Sequence, residues 1–266
     1  MDPFKELDHH VQELLADLGG LPLWDFGWGS ITTYTVYIML MLVIVTAVVL
    51  FVKSRVSLIP KKGPVAAIEA TVDYIRKEVG YGVLGSKELV DKHIPFLLTL
   101  FFFILGSNLI GLIPGSKAAT GTFATTLVLA AVCFIYFNYY GIKHSGAWHY
   151  LKNLCPRGIY PGLNVLIWAI EFFSLILRVL TLSVRLFANM YAGHIVIGAL
   201  SLLAGLFFQA MIADFAGNIG MGAVSIAWIV LLVVMYAMEL LVAFIQAYVF
   251  TVLQAVYLQM AVSDEH

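Results

Sequence analysis

Thr181-Leu-Ser-Val-Arg185-Leu-Phe-Ala-Asn189-Met-Tyr-Ala-Gly-His194 lies within residues 163–212, a mostly apolar run without proline. Only Gly193, Gly198 and Gly205 interrupt it, and none of them is a strong stop signal. As one helix the run would be about 75 Å long, against a hydrocarbon core of about 30 Å. Arg185 sits near its middle. A guanidinium stays charged at physiological pH and is costly to desolvate, so at membrane depth it requires a carboxylate, water or a polar channel.

The rest of the chain places this run in a membrane. Its 266 residues are 61% hydrophobic and only 12% charged, more apolar surface than a soluble domain of this length needs. Several runs reach bilayer length, so the fold class is an all-α polytopic membrane protein. Five crossings are expected, at about 31–52, 94–113, 122–141, 163–212 and 222–262. A polar amphipathic helix at about 64–79, striped by Ile68, Val72 and Ile75, is too short to cross and should lie on the inner surface. The last two crossings are read as long, steeply tilted, bent and antiparallel helices, joined near 214–220. A re-entrant turn within each is the alternative.

Orientation follows from the basic residues. Lys53, Arg55, Lys61 and Lys62 follow the first span at once, which puts them in the cytoplasm and residues 1–30 outside. Of the fifteen Lys and Arg, only Lys5 and Lys117 then lie outside, while Arg178 and Arg185 lie in the membrane. The acid-rich segment 1–30 carries helical spacing at Leu7, Val11, Leu14 and Leu18, with Trp24 and Trp28 as interfacial anchors. No removable signal peptide is expected, because no basic region leads into a short apolar core. A net charge of −1 gives no basis for a nucleic-acid partner. Cys133 in a span and Cys155 on an inner loop are not expected to form a disulfide. His9 with His10 suit solvated surface better than a metal site, and His144 with His149, five apart on the inner loop, suit a loop titration or no role better than a metal site.

The polar residues around Arg185 are ordered. At about 100° per residue, Glu171, Ser174, Arg178, Thr181 and Asn189 share an arc of about 80° with Arg185. Such a stripe is not a lipid face. It is either an internal Glu171–Arg178 ion pair or a surface turned to water or a charged partner. His194 falls on the opposite side, among Ser183, Gly198, Ser201 and Gly205, a small and polar face suited to close helix packing. On the last helix Glu239 is the only charged residue between Asp214 and Asp264, with Gln246 and Tyr257 on its face. For an antiparallel pair, the numbers of Arg185 and Gln246 and those of His194 and Glu239 reach nearly one total. Both pairs therefore share one register, with the histidine–carboxylate pair farther out. Imidazole and carboxylate together can pass protons near neutral pH, and ionisable residues within spans mark pathways. Asn108 in the second span is either an interhelical hydrogen bond or part of that pathway.

No P-loop, zinc-protease motif, nucleophile–base pair or inverted repeat accompanies these residues, and no cofactor or metal is expected. A self-contained secondary transporter or ion channel using a His–Glu–Arg network stays open at this point. An intramembrane hydrolase would need an oxyanion-hole glycine loop that the sequence lacks.

Three ordered stretches carry a family likeness: Arg185 to Gly193, Asn108-Leu-Ile-Gly-Leu-Ile-Pro-Gly115, and Glu239-Leu-Leu-Val-Ala-Phe-Ile-Gln-Ala-Tyr-Val-Phe-Thr251. They resemble subunit a of bacterial F-type ATP synthases, over about residues 30–266. The resemblance implies a channel subunit that is no enzyme by itself. It implies a multi-pass protein of the bacterial plasma membrane, with its C-terminus in the cytoplasm, beside a c-ring and the peripheral-stalk subunit b. Protons would enter by one half-channel, load a c-ring carboxylate, and leave by a second. Arg185 matches the family's essential arginine. Asn189, His194, Glu239 and Gln246 match outer half-channel positions, and Glu171 a position nearer the inner one. Some bacterial members have the acid after Ala-Gly and the histidine on the last helix; here His194 and Glu239 are exchanged, as in mitochondrial relatives, which keeps one acid–base couple.

Overall fold

The computed structural model describes residues 22–25, 30–55, 64–113, 115–146, 161–213 and 219–262. The expectations for the amino-terminal helix, Trp28, His9, His10, His149 and Cys155, and for the connection at 214–218, fall outside them. Among the described residues the fold is all-α but for one short antiparallel pair, β1 (Pro22–Asp25) with β2 (Ser30–Thr32), which leads into the first long helix.

The described residues form six α-helices: α1 (Thr33–Arg55), α2 (Pro64–Ile75), α3 (Lys87–Gly111), α4 (Phe123–Ser145), α5 (Pro161–Ala213) and α6 (Ile219–Val262). Five of them, all but α2, are long and apolar enough to cross a membrane. Large apolar side chains such as Val43, Ile135, Ile170 and Val233 are exposed on their outer faces. That surface suits lipid, where every backbone polar group must be satisfied inside the helix.

α3 is the central post. Leu97, Phe101 and Ile104 recur at helical spacing and are completely buried. Ser86 caps its start by accepting the Leu89 N–H, and Pro95 lies inside the helix, where it withholds the N–H that would bond the Asp91 carbonyl. Met41 of α1 fills the notch at Gly106. α4 packs on α5 and α6, joined by the Thr126–Ser183 hydroxyl bond (3.1 Å) and by Gln254 donating to the Cys133 carbonyl (3.2 Å).

α5 and α6 are each one unbroken helix, of 53 and 44 residues. At 1.5 Å per residue they are about 80 Å and about 66 Å long, so neither can stand upright in a core of about 30 Å. Pro161 opens α5 at the position where a missing N–H costs nothing. Three contacts fix the pair as antiparallel. Ser225 donates to the Ala204 carbonyl (3.0 Å), the Glu239 carboxylate lies against Gly193, and the Arg178 guanidinium lies 5.3 Å from the Tyr257 ring centre.

The segment expected as one surface helix over 64–79 is built differently. After α2 the chain widens into a π-helical segment, Arg76–Leu84, packed on α3 and α6. Its buried residues are Val79, Gly80 and Leu84, after Ile75. Spacings of four and five suit a wide turn better than 3.6 residues, which is why the winding changes there. Arg76 reaches Asp91 of α3, and that hydrogen bond raises the guanidinium above its ordinary value.

Candidate functional site: the α5–α6 contact and the turn at 112–122

α5 is anchored by Leu182, Leu186 and Met190, buried at successive turns. The opposite face is open. It carries Arg185 among Thr181, Val184, Ala188 and Ala192, all exposed. Among the described residues no acid pairs with Arg185. The small side chains at Ala188 and Ala192 leave its surroundings low, so another helix could approach closely.

The remaining stripe residues divide. The Thr181 hydroxyl donates back to the Leu177 carbonyl (2.9 Å), which keeps it within its own helix. Arg178 is half-buried against Tyr257, and Ser174 is half-buried. Asn189 is half-buried, with its amide nitrogen enclosed and unbonded. Glu171 belongs to α5, but its side chain lies outside what the structure describes. Gln246 is half-buried on α6.

At the next level Glu239 is 6% exposed, with both carboxylate oxygens unbonded. It occupies the space over Gly193, where a Cβ would overlap the carboxylate. His194, the next residue along α5, has an enclosed and unbonded Nε2, 3.1 Å from the place a Cβ on Gly111 would take. No hydrogen bond joins His194 to Glu239. Two glycines therefore make the room that this histidine and acid occupy.

The turn at 112–122 closes the same end. Gly115 takes φ +83°, which only glycine adopts without strain. The Ser116 hydroxyl ties back to the Ile113 carbonyl (2.8 Å) and to that of Ile110. Asn108 is completely buried; its carbonyl accepts from the Thr120 hydroxyl (2.7 Å) and its amide donates to the Ala243 carbonyl of α6 (3.5 Å). Of its two sequence readings, the interhelical bond is the one built here.

Residues 34–259 match the protein family described as ATP synthase A chain. The chain is 40% identical to the ATP synthase subunit a of Chloroherpeton thalassium over 204 residues, 77% of this chain and 57% of that protein. It is 36% identical to the ATP synthase subunit a of Myxococcus xanthus over 240 residues, covering 89% of this chain and 74% of that one. With the Rhodococcus erythropolis ATP synthase subunit a the identity is 38% over 233 residues, 86% of this chain and 82% of the relative. The chain belongs to the ATP synthase A chain family. In this chain Arg185 lies on the open face of α5, and Glu239 lies at the contact of α6 with α5.

Sequence reasoning left out three contributors. Gly193 and Gly111 are defined by what fills the space beside them, and Thr120 by its bond to Asn108. A glycine inside a helix costs about 1 kcal/mol relative to alanine, so one beside His194 was the available signal. A separate buried histidine contact, His93 Nδ1 with the Tyr136 hydroxyl (2.8 Å), lies at the far end of α3 and belongs to packing between α3 and α4.

Proposed function

We propose that this chain is the proton-conducting stator subunit of an F-type ATP synthase. In this reading it sits in a bacterial plasma membrane beside the c-ring and subunit b, with its first span entering from outside. Its open α5 face meets the c-ring, and Arg185 faces the ring carboxylate that carries the proton. The carrying observation is the position of Arg185: exposed on a helix face whose reverse is packed, with no described acid beside it. A counter-charge supplied by a moving partner fits that position.

Protons reach the ring carboxylate through an outer half-channel that includes His194, Glu239, Asn189 and Gln246, and leave through an inner one near Glu171. His194 and Glu239 suit proton transfer because each keeps unbonded polar atoms at the α5–α6 contact. Arg185 separates the two routes, since a fixed cation repels a proton and releases the ring carboxylate only when the next one arrives. Each proton crossing 100 mV delivers about 2.3 kcal/mol, which a leak past Arg185 would dissipate without rotation.

The test is ATP-driven acidification of vesicles holding the whole complex. Arg185→Ala should abolish it while the assembled complex still hydrolyses ATP. Normal pumping by that variant would overturn the reading. The purified chain alone in vesicles should not conduct, and conduction would favour a self-contained channel.

A further inference from the structure

α5 and α6 meet again toward the start of α6, well beyond Glu239. The Ser225 hydroxyl is buried there and donates to the Ala204 carbonyl (3.0 Å). Trp228 stands about one turn on from Ser225. Its ring is half-buried, and its indole N–H is enclosed with no acceptor among the described residues. Gly205 is the neighbour of Ala204, and a Cβ on it would meet nothing within 4 Å.

These two positions repeat the Glu239–His194 contact. Trp228 lies eleven residues before Glu239, and Gly205 eleven residues after His194. Eleven residues advance a helix by about 16 Å and rotate it by about 20° net, so each residue keeps the face of its counterpart. The numbers of Trp228 and Gly205 reach the same total as those of Glu239 and His194, as one antiparallel seam requires. The Ser225–Ala204 bond shows the two helices in contact at that level. The seam differs in fullness along its length. A Cβ on Gly193 would overlap the Glu239 carboxylate, whereas one on Gly205 would enter open space. Ser201 and Gly198 continue the small face of Gly205 toward His194.

Residues 195–213 and 219–238 contain no Asp, Glu, His, Lys, Arg or Cys. A proton moving along this part of the seam therefore has water to travel on and no ionisable relay. Water between apolar walls needs fixed polar partners, and an enclosed N–H is costly unless it meets an acceptor. We infer that the Trp228 N–H holds a water in the space beside Gly205 and so orients the outermost part of the proton route to Glu239 and His194. The inference rests on the function proposed above. One lone pair of the water accepts the indole N–H, which turns its two O–H bonds away from Trp228. The second lone pair takes a proton from outside as one O–H bond gives its proton inward, so the water is restored after each transfer. The indole gains and loses nothing. Trp228 is a positioning residue.

The experiment measures ATP synthesis by vesicles holding the whole complex, over a range of pH on the outer side. Replacing Trp228 by 3-benzothienylalanine keeps the shape of the ring and exchanges the N–H for sulfur. The outer proton concentration that gives half the maximal rate should rise about fivefold, the scale of one hydrogen bond. The maximal rate and the resistance to detergent should not change. Gly205→Leu, which fills the space, should move the half-maximal concentration in the same direction. A Trp228 that serves packing alone would leave it unmoved, and that result overturns the inference. Arg185→Ala in the same assay separates the two claims. Synthesis by that variant overturns the proposed function, whereas its failure beside unaltered proton dependence in both seam variants overturns the water site alone. A thiol reads the space directly. Gly205→Cys, in a chain with Cys133→Ala and Cys155→Ala, should react with a charged methanethiosulfonate added outside. Reaction with a lipid-soluble maleimide alone would put lipid beside Gly205 and overturn the inference.

Discussion

Asn108 and Glu239 are both buried polar side chains against α6, one helical turn apart along it, since Asn108 bonds the carbonyl of Ala243. Their surroundings differ. Asn108 is closed: its carbonyl and its amide each have a partner. Glu239 is open, with two unbonded oxygens held over a glycine, next to a histidine whose Nε2 is also unbonded. Buried polar groups are bonded almost everywhere in proteins, so an open cluster needs a reason. A group that must give and take a proton cannot be permanently satisfied by fixed partners. On the proposed function, the closed residue holds helices together and the open ones carry the chemistry.

Substitution at the open residue should have the largest effect on transport. Glu239→Gln keeps the shape and removes the titrating proton. Coupled proton pumping should fall about a hundredfold, the usual scale for losing a proton-transfer group. Resistance to denaturation by detergent should hardly change. Pumping at the wild-type rate would break the comparison at its functional end.

Gly193→Val tests the space and not the charge. Its side chain would enter the volume of the Glu239 carboxylate. Overpacking of this kind costs about 1–3 kcal/mol, so a titration with denaturing detergent should show lower stability together with impaired pumping. Unchanged stability would mean that α5 and α6 are farther apart than described here.

The smallest effect belongs to the closed residue. Asn108→Leu removes both bonds and leaves the Thr120 hydroxyl without its acceptor. Interhelical hydrogen bonds in membranes average about 0.6 kcal/mol and reach about 1.7. Stability should fall within that span while the pH dependence of pumping stays as in the wild type. A shifted pH profile would move Asn108 to the open class.

Much of this was legible because a bilayer simplifies the reading. The five apolar runs and the length of the last two follow from the pattern along each helix alone. The shared register of His194 and Glu239 follows from the antiparallel order. Periodicity is silent about what lies between two helices, so Gly193 was read as an interruption of the run and not as the seat of a carboxylate. The partners of Asn108 come from a turn and from a helix far along the chain, and no pattern near 108 contains them. The widened segment at Arg76–Leu84 escaped for a related reason: its burial spacing depends on α3 and α6 already being in place.

The seat of Arg178 on Tyr257 has a consequence for how the chain is made. The arginine leaves the ribosome long before the tyrosine does. An arginine at the centre of a spanning helix adds about 2.5–3.5 kcal/mol against insertion, and α5 carries a second one at Arg185. α5 is therefore made before the aromatic seat of Arg178 exists, and that seat forms only as the end of α6 emerges. Chains truncated before Tyr257 should insert α5 less efficiently than full-length chains in a glycosylation-mapping assay; equal insertion would show that α5 settles without waiting for α6.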